Sequence, residues 1–293
     1  MLRIFWVAVF LLPVIFSFPS KGYSDEMISV STGGKNSLSW SFVEELSKRW
    51  QWNFPQKEEM FQPAFKSDFK ERLVDLSKNY CKFAIAPLGF IPSEEMLESP
   101  IRLVAVLWEV YLIPFSATFN QRNVGLQHPG PWYLPEGAVI LEDYFQTSPE
   151  ETNRLNFVKA DGIQEFLDGF EEGVFFYEAI GSTKNVERMI GKKLFYLGLD
   201  EKFIEEIDKK NPWIEKYKFR DPRRNLLETV SYKMALYVNF TVEPEMIKEL
   251  LKMLKSSPKT ILPAPIIFDY LMISQTKKVE RSLLHEGSQS FFF

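Results

Sequence analysis

A single cysteine, Cys81, stands in this sequence of 293 residues, so no disulfide can close within one chain. It sits just before an apolar run, where a thiol serves as a small buried apolar group. Histidine is nearly as scarce. His128 and His285 have no neighbouring ligand at zinc spacing, which leaves no His-based metal site. No G-x-S-x-G presents a serine nucleophile. Glu94 with Glu95, and Glu171 with Glu172, are sequence neighbours that read as solvated faces, not as an acid–base pair. The residues thus support neither an enzyme nor a cofactor. A formal net charge of −4 and a pI near 5.5 give no basic footprint for nucleic acid. Internal repeats, heptads and low-complexity segments are absent as well.

What the chain has is aromatic residues and length. With 27 Phe, 11 Tyr and 7 Trp it can fill the cores of two domains of ordinary size. Arg3, the apolar run from Ile4 to Phe18 and the polar PSKGYSDE that follows read as a secretory signal over residues 1–25. The run is short for a membrane-spanning helix, and no cysteine follows it directly to carry a lipid. Export to the periplasm as a monomer is the expectation.

Two stretches organise the remainder. Ile101 to Ala117 (IRLVAVLWEVYLIPFSA) is too apolar for a surface loop and too β-branched for a comfortable helix. Pro114 stops it from being a central strand throughout, so it reads as a buried strand that leaves one lobe and enters another. Leu227 to Thr241 has the same character. Two crossings predict a discontinuous first lobe, 26–110 with 226–293, and an inserted second lobe, 111–225, with a ligand cleft between them.

Within the first lobe, a strand from Met27 to Val30 leads through Ser31–Trp40 to a helix that starts near Ser37 and buries Leu38, Phe42, Val43, Leu46 and Trp50. A strand is expected around Trp52–Phe54. A helix capped by Ser67 then carries Phe69, Leu73 and Leu76, and a buried strand follows over Lys82–Leu88. This β-α-β-α-β order favours parallel pairing, with ligands beyond the carboxyl ends of the strands. Thr32, Gly33, Gly34, Lys35 and Asn36 therefore share a rim with Pro87, Leu88 and Gly89. The Thr-Gly-Gly turn before a helix N-terminus is also an anion site in the making, or else a plain tight connection.

The second lobe reads as α/β too. Helices are expected over Leu134–Tyr144, from a Ser148–Pro149–Glu151 capping box, over Asn185–Ile190 and over Glu201–Lys209, with strands at Gly173–Tyr177 and within KKLFYLGL. Past the second crossing come a helix from Pro244, a last helix near Ile266–Ile273 and the aromatic tail SLLHEGSQSFFF.

Several of these blocks, in this order, resemble the TAXI-type solute receptors of TRAP transporters. ISVSTGG resembles their opening strand and Thr-Gly turn, and KFAIAPLGF their third strand. PGPWYLPEGAVILEDY falls where the family starts its second-lobe helix, and Leu284, His285 and Gly287 match its closing Leu-His-x-Gly pattern. The resemblance implies an α/β fold of the type II periplasmic binding protein kind, with two mixed sheets flanked by helices around a cleft. It also implies a small carboxylate or amino-acid-like solute and integral-membrane TRAP subunits as partners. The departures are local. Ser39 and Trp40 stand near the family's two tyrosines, Pro87 takes the place of a Gln, and Trp132 and Tyr133 take that of Ser and Gly or Thr, which makes the expected cleft more aromatic.

The binding candidates are therefore Thr32, Gly33, Gly34, Lys35, Asn36, Trp40, Pro87, Leu88, Gly130, Trp132, Tyr133, Tyr177 and Glu178. For each aromatic, plain core packing is the competing reading. Two functions stay open: a receptor that closes on a small solute, and an interaction or sensory module on the same fold that no longer binds one.

Overall fold

The computed structural model describes residues 27–35, 37–66, 68–116, 123–124, 132–134, 157–159, 173–180, 195–256 and 271–293. The signal segment, the expected helices at 134–144 and 185–190, the capping box at 148–151 and most of the helix at 266–273 lie outside them.

β1 (Met27–Thr32) feeds α1 (Leu38–Asn53) through a short turn. Ser37 caps the helix by accepting the Trp40 N–H at 3.2 Å, and Phe42, Val43, Leu46 and Trp50 line its buried face. The strand expected at 52–54 is instead the end of this helix. Trp50 is its last buried ring and packs on Phe54 at 4.6 Å, and the Phe54 N–H closes the last turn on Trp50 O. Packing of the helix face overrides the β-preference of those aromatics, and β2 (Met60–Phe65) begins later.

α2 (Phe69–Ser77) is capped by Asp68, which accepts the Lys70 N–H at 2.6 Å; the expected cap, Ser67, lies outside the described residues. β3 (Phe83–Pro87) is buried along its whole length, and α3 (Ser93–Glu98) follows it. Burial pushes the Cys81 thiol, just before β3, up to about 12, so it is a packing group.

β4 (Ile101–Ser116) and β12 (Leu226–Asn239) are the two crossing strands. At 16 residues β4 spans about 50 Å, far beyond a usual strand. It runs straight through Pro114, and the reason is the partner change. β12 leaves β4 after Leu112, and Leu197 N–H takes Pro114 O at 2.9 Å on the vacated edge. The missing proline donor therefore falls between the last β12 pair at Leu112 and the first β9 pair at Phe115. Two register shifts between β12 and β4 leave Val104 and Leu107 as extra residues. There the C-terminal segment braces β4: Val106 N–H donates to Thr276 Oγ1 at 3.0 Å, Met272 N–H to Val106 O at 2.9 Å, and His285 N–H to Leu103 O at 2.9 Å.

Beyond the first crossing lie β5 (Asn123–Val124), β6 (Trp132–Leu134), β7 (Phe157–Lys159), β8 (Val174–Ile180), β9 (Phe195–Tyr196), β10 (Gly198–Leu199), α4 (Glu201–Lys210) and β11 (Ile214–Arg220). The strand order is β2-β1-β3-β12-β4-β8-β6-β7, with β11 on β12 and β9 on β4; β5 and β10 form a separate pair. The two expected sheets are thus continuous through the crossings. A rule repeats on both sides. β1 is parallel to β2 and β3, and β3 meets crossing strand β12 antiparallel. β6 is parallel to β7 and β8, and β8 meets crossing strand β4 antiparallel.

α5 (Pro244–Ser256), α6 (Ile273–Thr276) and α7 (Glu286–Phe292) close the first half. His285 caps α7 by accepting the Gly287 N–H on Nδ1 at 3.2 Å. A Cβ on Gly287 would lie 2.3 Å from Pro244 O, so only glycine lets α7 seat on the start of α5. The closing Leu-His-x-Gly block is therefore a packing device here.

Candidate functional site

Met234 stands opposite Trp108, and Tyr232 opposite Val110, so these four share one face of the crossing strands. They floor a recess of about 290 Å³, part of it open to solvent, walled by Ser37, Leu38 and Ser39 of α1, Phe69 and Arg72 of α2 and Glu178 of β8.

One wall is electropositive. Gly33 N–H donates to Ser39 Oγ at 2.9 Å, the Ser37 and Ser39 hydroxyls lie 3.1 Å apart, and the helix dipole points its positive end at them. Beside them Arg72 is only 1% exposed. Its Nε donates to Lys66 O at 2.9 Å and its Nη1 to Ile85 O at 3.1 Å, while its guanidinium carbon lies 4.7 Å from the Phe69 ring centre. Carbonyl dipoles and a ring face thus hold a full positive charge inside the protein.

A carboxylate lines the recess as well. Glu178 of β8 stands beside Leu112 of β4 and accepts the Tyr232 hydroxyl at 2.7 Å. Tyr232 is held in turn by the Trp213 ring, edge-on at 5.8 Å. Gly89 has φ +79°, and a Cβ there would approach Trp213 Cβ to 3.3 Å, so the turn after β3 needs a residue without one. Tyr237 hydroxyl to Pro87 O (2.9 Å) and Leu88 N–H to Lys233 O (2.7 Å) hold that turn against β12.

Of the thirteen candidates from the sequence, Glu178 lines the recess directly. Thr32 and Gly33 are buried under the α1 turn, with the Thr32 hydroxyl donating to Gly33 O at 3.1 Å. Gly34 faces the Phe65 ring and Lys35 is exposed. Trp40 points outward and donates from Nε1 to Glu44 at 3.0 Å. Pro87 is buried and Leu88 half-buried at the end of β3. Trp132 is fully buried between Phe176 (5.7 Å) and Phe203 (5.8 Å), and Tyr133 is buried beside it in β6. Register sets Tyr177 opposite Ile113. Asn36 and Gly130 lie outside the described residues.

Sequence reasoning passed over Ser37, Arg72, Trp108 and Tyr232. For Arg72 a signal exists: it falls among Phe69, Leu73 and Leu76 on the apolar stripe of α2, where a charge needs a reason. Trp108 and Tyr232 sit inside apolar runs and carry no such mark. Among the described residues no group of three potential metal ligands occurs.

No family model and no curated protein matches the chain. Its structure is similar to a phosphate transport receptor from Vibrio cholerae, at 11% identity, 79% of this chain, 94% of that one and a TM-score of 0.48. It is also similar to the substrate-binding protein of an amino acid ABC transporter, at 12% identity, 78% and 93% coverage and a TM-score of 0.44. Full-length BenM matches at 13% identity and a TM-score of 0.46, with 78% of this chain covering 66% of that one. The likeness is loose. By its own strand order the described part is a mixed α/β fold, with two parallel strand triplets hung on two antiparallel crossing strands.

Proposed function

We propose that the chain is a solute receptor whose lobes, 26–110 with 226–293 and 111–225, close on a small molecule that carries both an anionic and a cationic group. One observation carries this reading: groups of opposite charge line a single recess, Arg72 and the α1 N-terminus together with Glu178. A ligand carboxylate would lie between Ser37, Ser39 and Arg72, and an ammonium at Glu178. Its carbon frame would rest on Phe69 and Trp108. The helix end contributes about 0.3–1 kcal/mol, and each charged hydrogen bond about 1.5–3 kcal/mol. Two or three such bonds with ring contact reach the roughly −8 kcal/mol of micromolar binding. The resemblance to TAXI-type receptors supports an amino-acid-like ligand, export to the periplasm and integral-membrane TRAP subunits as partners.

A thermal-shift screen of residues 26–293 against amino acids, dicarboxylates and simple amines tests it. An amino acid at about 100 times its Kd should add about 2.7 kcal/mol, a shift of several degrees at roughly 2–4 °C per kcal/mol. The second reading, an interaction module, draws on the three rings of Phe69, Trp108 and Tyr232 that narrow the recess. It becomes the better one if no compound moves the transition and native mass spectrometry finds none retained.

A further inference from the structure

We propose that the contact between Phe90 and Trp213 sets the spacing between the two charges of the recess, and with it the length of ligand the recess accepts; this rests on the receptor reading above. Arg72 and Glu178 are joined by an unbroken series of contacts. The Arg72 guanidinium carbon lies 4.7 Å from the Phe69 ring centre. Phe69 meets Phe90 at 5.8 Å, Phe90 meets Trp213 at 5.6 Å, and Trp213 meets Tyr232 at 5.8 Å, each edge to face. The Tyr232 hydroxyl then donates to Glu178 at 2.7 Å. Phe69 and Tyr232 line the recess, whereas Phe90 and Trp213 do not and act only through them. Edge-to-face pairs are directional, so each ring restrains the tilt of the next.

The middle of the series joins two distant parts of the chain. Phe90 follows β3, and Trp213 lies between α4 and β11. The corner that carries Trp213 is tied at both ends. Asn211 N–H closes α4 on Ile207 O at 2.9 Å, Ile214 N–H returns to Asn211 O at 2.9 Å, and Ile214 then pairs with Tyr232. On the other side Gly89, at φ +79°, comes so near that a Cβ on it would stand 3.3 Å from Trp213 Cβ. Close approach of the two segments is thus built into both. Phe90 and Trp213 are each half-buried, packed against the edge of the core. A series held in this way stiffens the separation of guanidinium and carboxylate. A ligand whose own carboxylate and ammonium are spaced otherwise loses one of its two charged contacts.

The test is calorimetry on the full chain with the protein amino acids, each beside its β- and γ-homologue. One or two extra carbons there lengthen the path from carboxylate to ammonium. The wild type should prefer one length by at least about tenfold in Kd. Trp213→Leu removes the ring contact and should shrink that preference severalfold, whereas Trp213→Phe keeps a ring and should retain it. Gly89→Ala, which forces the tryptophan off the turn without removing a ring, should shrink it as well. Should Trp213→Leu not fold, Phe90→Leu breaks the same contact from the other side and carries the same expectation. A tryptophan with a structural role alone would weaken binding of every length by one factor. That result overturns the proposal and leaves the receptor reading intact, as does a wild type that binds all lengths equally. If the wild type binds no member of any series, the receptor reading fails and the proposal with it.

Discussion

The two strand triplets obey one pairing rule and are used differently. In the first, β1 and β3 border helices whose buried face admits polar groups: Arg72 and Ser39 are both nearly inaccessible. In the second, the described core is apolar, with Trp132 at its centre and Val174, Phe175 and Phe176 beside it. The first half therefore contributes a preformed positive wall, and the second contributes a single carboxylate, Glu178, on an otherwise apolar strand. The Tyr232–Glu178 hydrogen bond joins the two contributions in one recess.

The largest effects should come from the matched core rings. Trp50 packs on Phe61 at 5.2 Å in the first half, and Trp132 on Phe203 at 5.8 Å in the second; both are fully buried. Trp50→Ala and Trp132→Ala should each cost about 3–5 kcal/mol in urea denaturation. If the continuous sheet makes one cooperative unit, both variants shift a single transition. Two separable transitions would break the symmetry drawn here.

Next comes Arg72→Met, which keeps volume and removes the charge. It leaves the Lys66 and Ile85 carbonyls without that donor, for a loss of about 1–3 kcal/mol in stability, and it should abolish binding of any ligand carboxylate. Glu178→Gln sharpens the comparison from the other side. An amide can still accept the Tyr232 hydroxyl, so stability should stay within about 1 kcal/mol while affinity for an ammonium-bearing ligand drops at least tenfold by calorimetry. Equal losses for amine-free carboxylates would contradict the division of charge.

The smallest effect concerns pH and belongs to the first half. Burial lowers the pKa of His285, with Arg102 acting in the same direction against opposing hydrogen bonds to the Phe240 and Val242 backbone and the Glu286 charge. Folding thus favours the neutral ring. Its contribution is complete above the unfolded value of about 6.5 and is lost as pH falls below it, because the unfolded chain then binds the extra proton. Melting temperature should decline on that side of pH 6.5, and His285→Gln should flatten the decline.

Much of this could be read from local pattern. The helical spacing of Phe42, Val43, Leu46 and Trp50, the Ser37 cap, the buried run at β3 and the two long crossing stretches all carry their periodicity in the chain. Pro114 misled only about where a central strand must end, since its tolerance depends on β12 departing after Leu112. The site was harder. Turn chemistry drew attention to Thr32–Asn36 and to the aromatics at 132–133, but Trp132 is buried between two phenylalanines, and Trp40 turns outward to Glu44.

By itself the sequence determined most of the described elements of the first half, their order and the two long central strands, because periodicity and capping are written within a turn or a strand. Tertiary structure alone decided which side chains share a recess. Arg72, Tyr232 and Glu178 are separated by more than fifty residues at each step and meet only through the register of β12, β4 and β8. A one-residue slip in either ladder would turn Tyr232 or Glu178 to the opposite face. That register is set by the burial of both faces of β4 and by its two bulges, which no local pattern encodes.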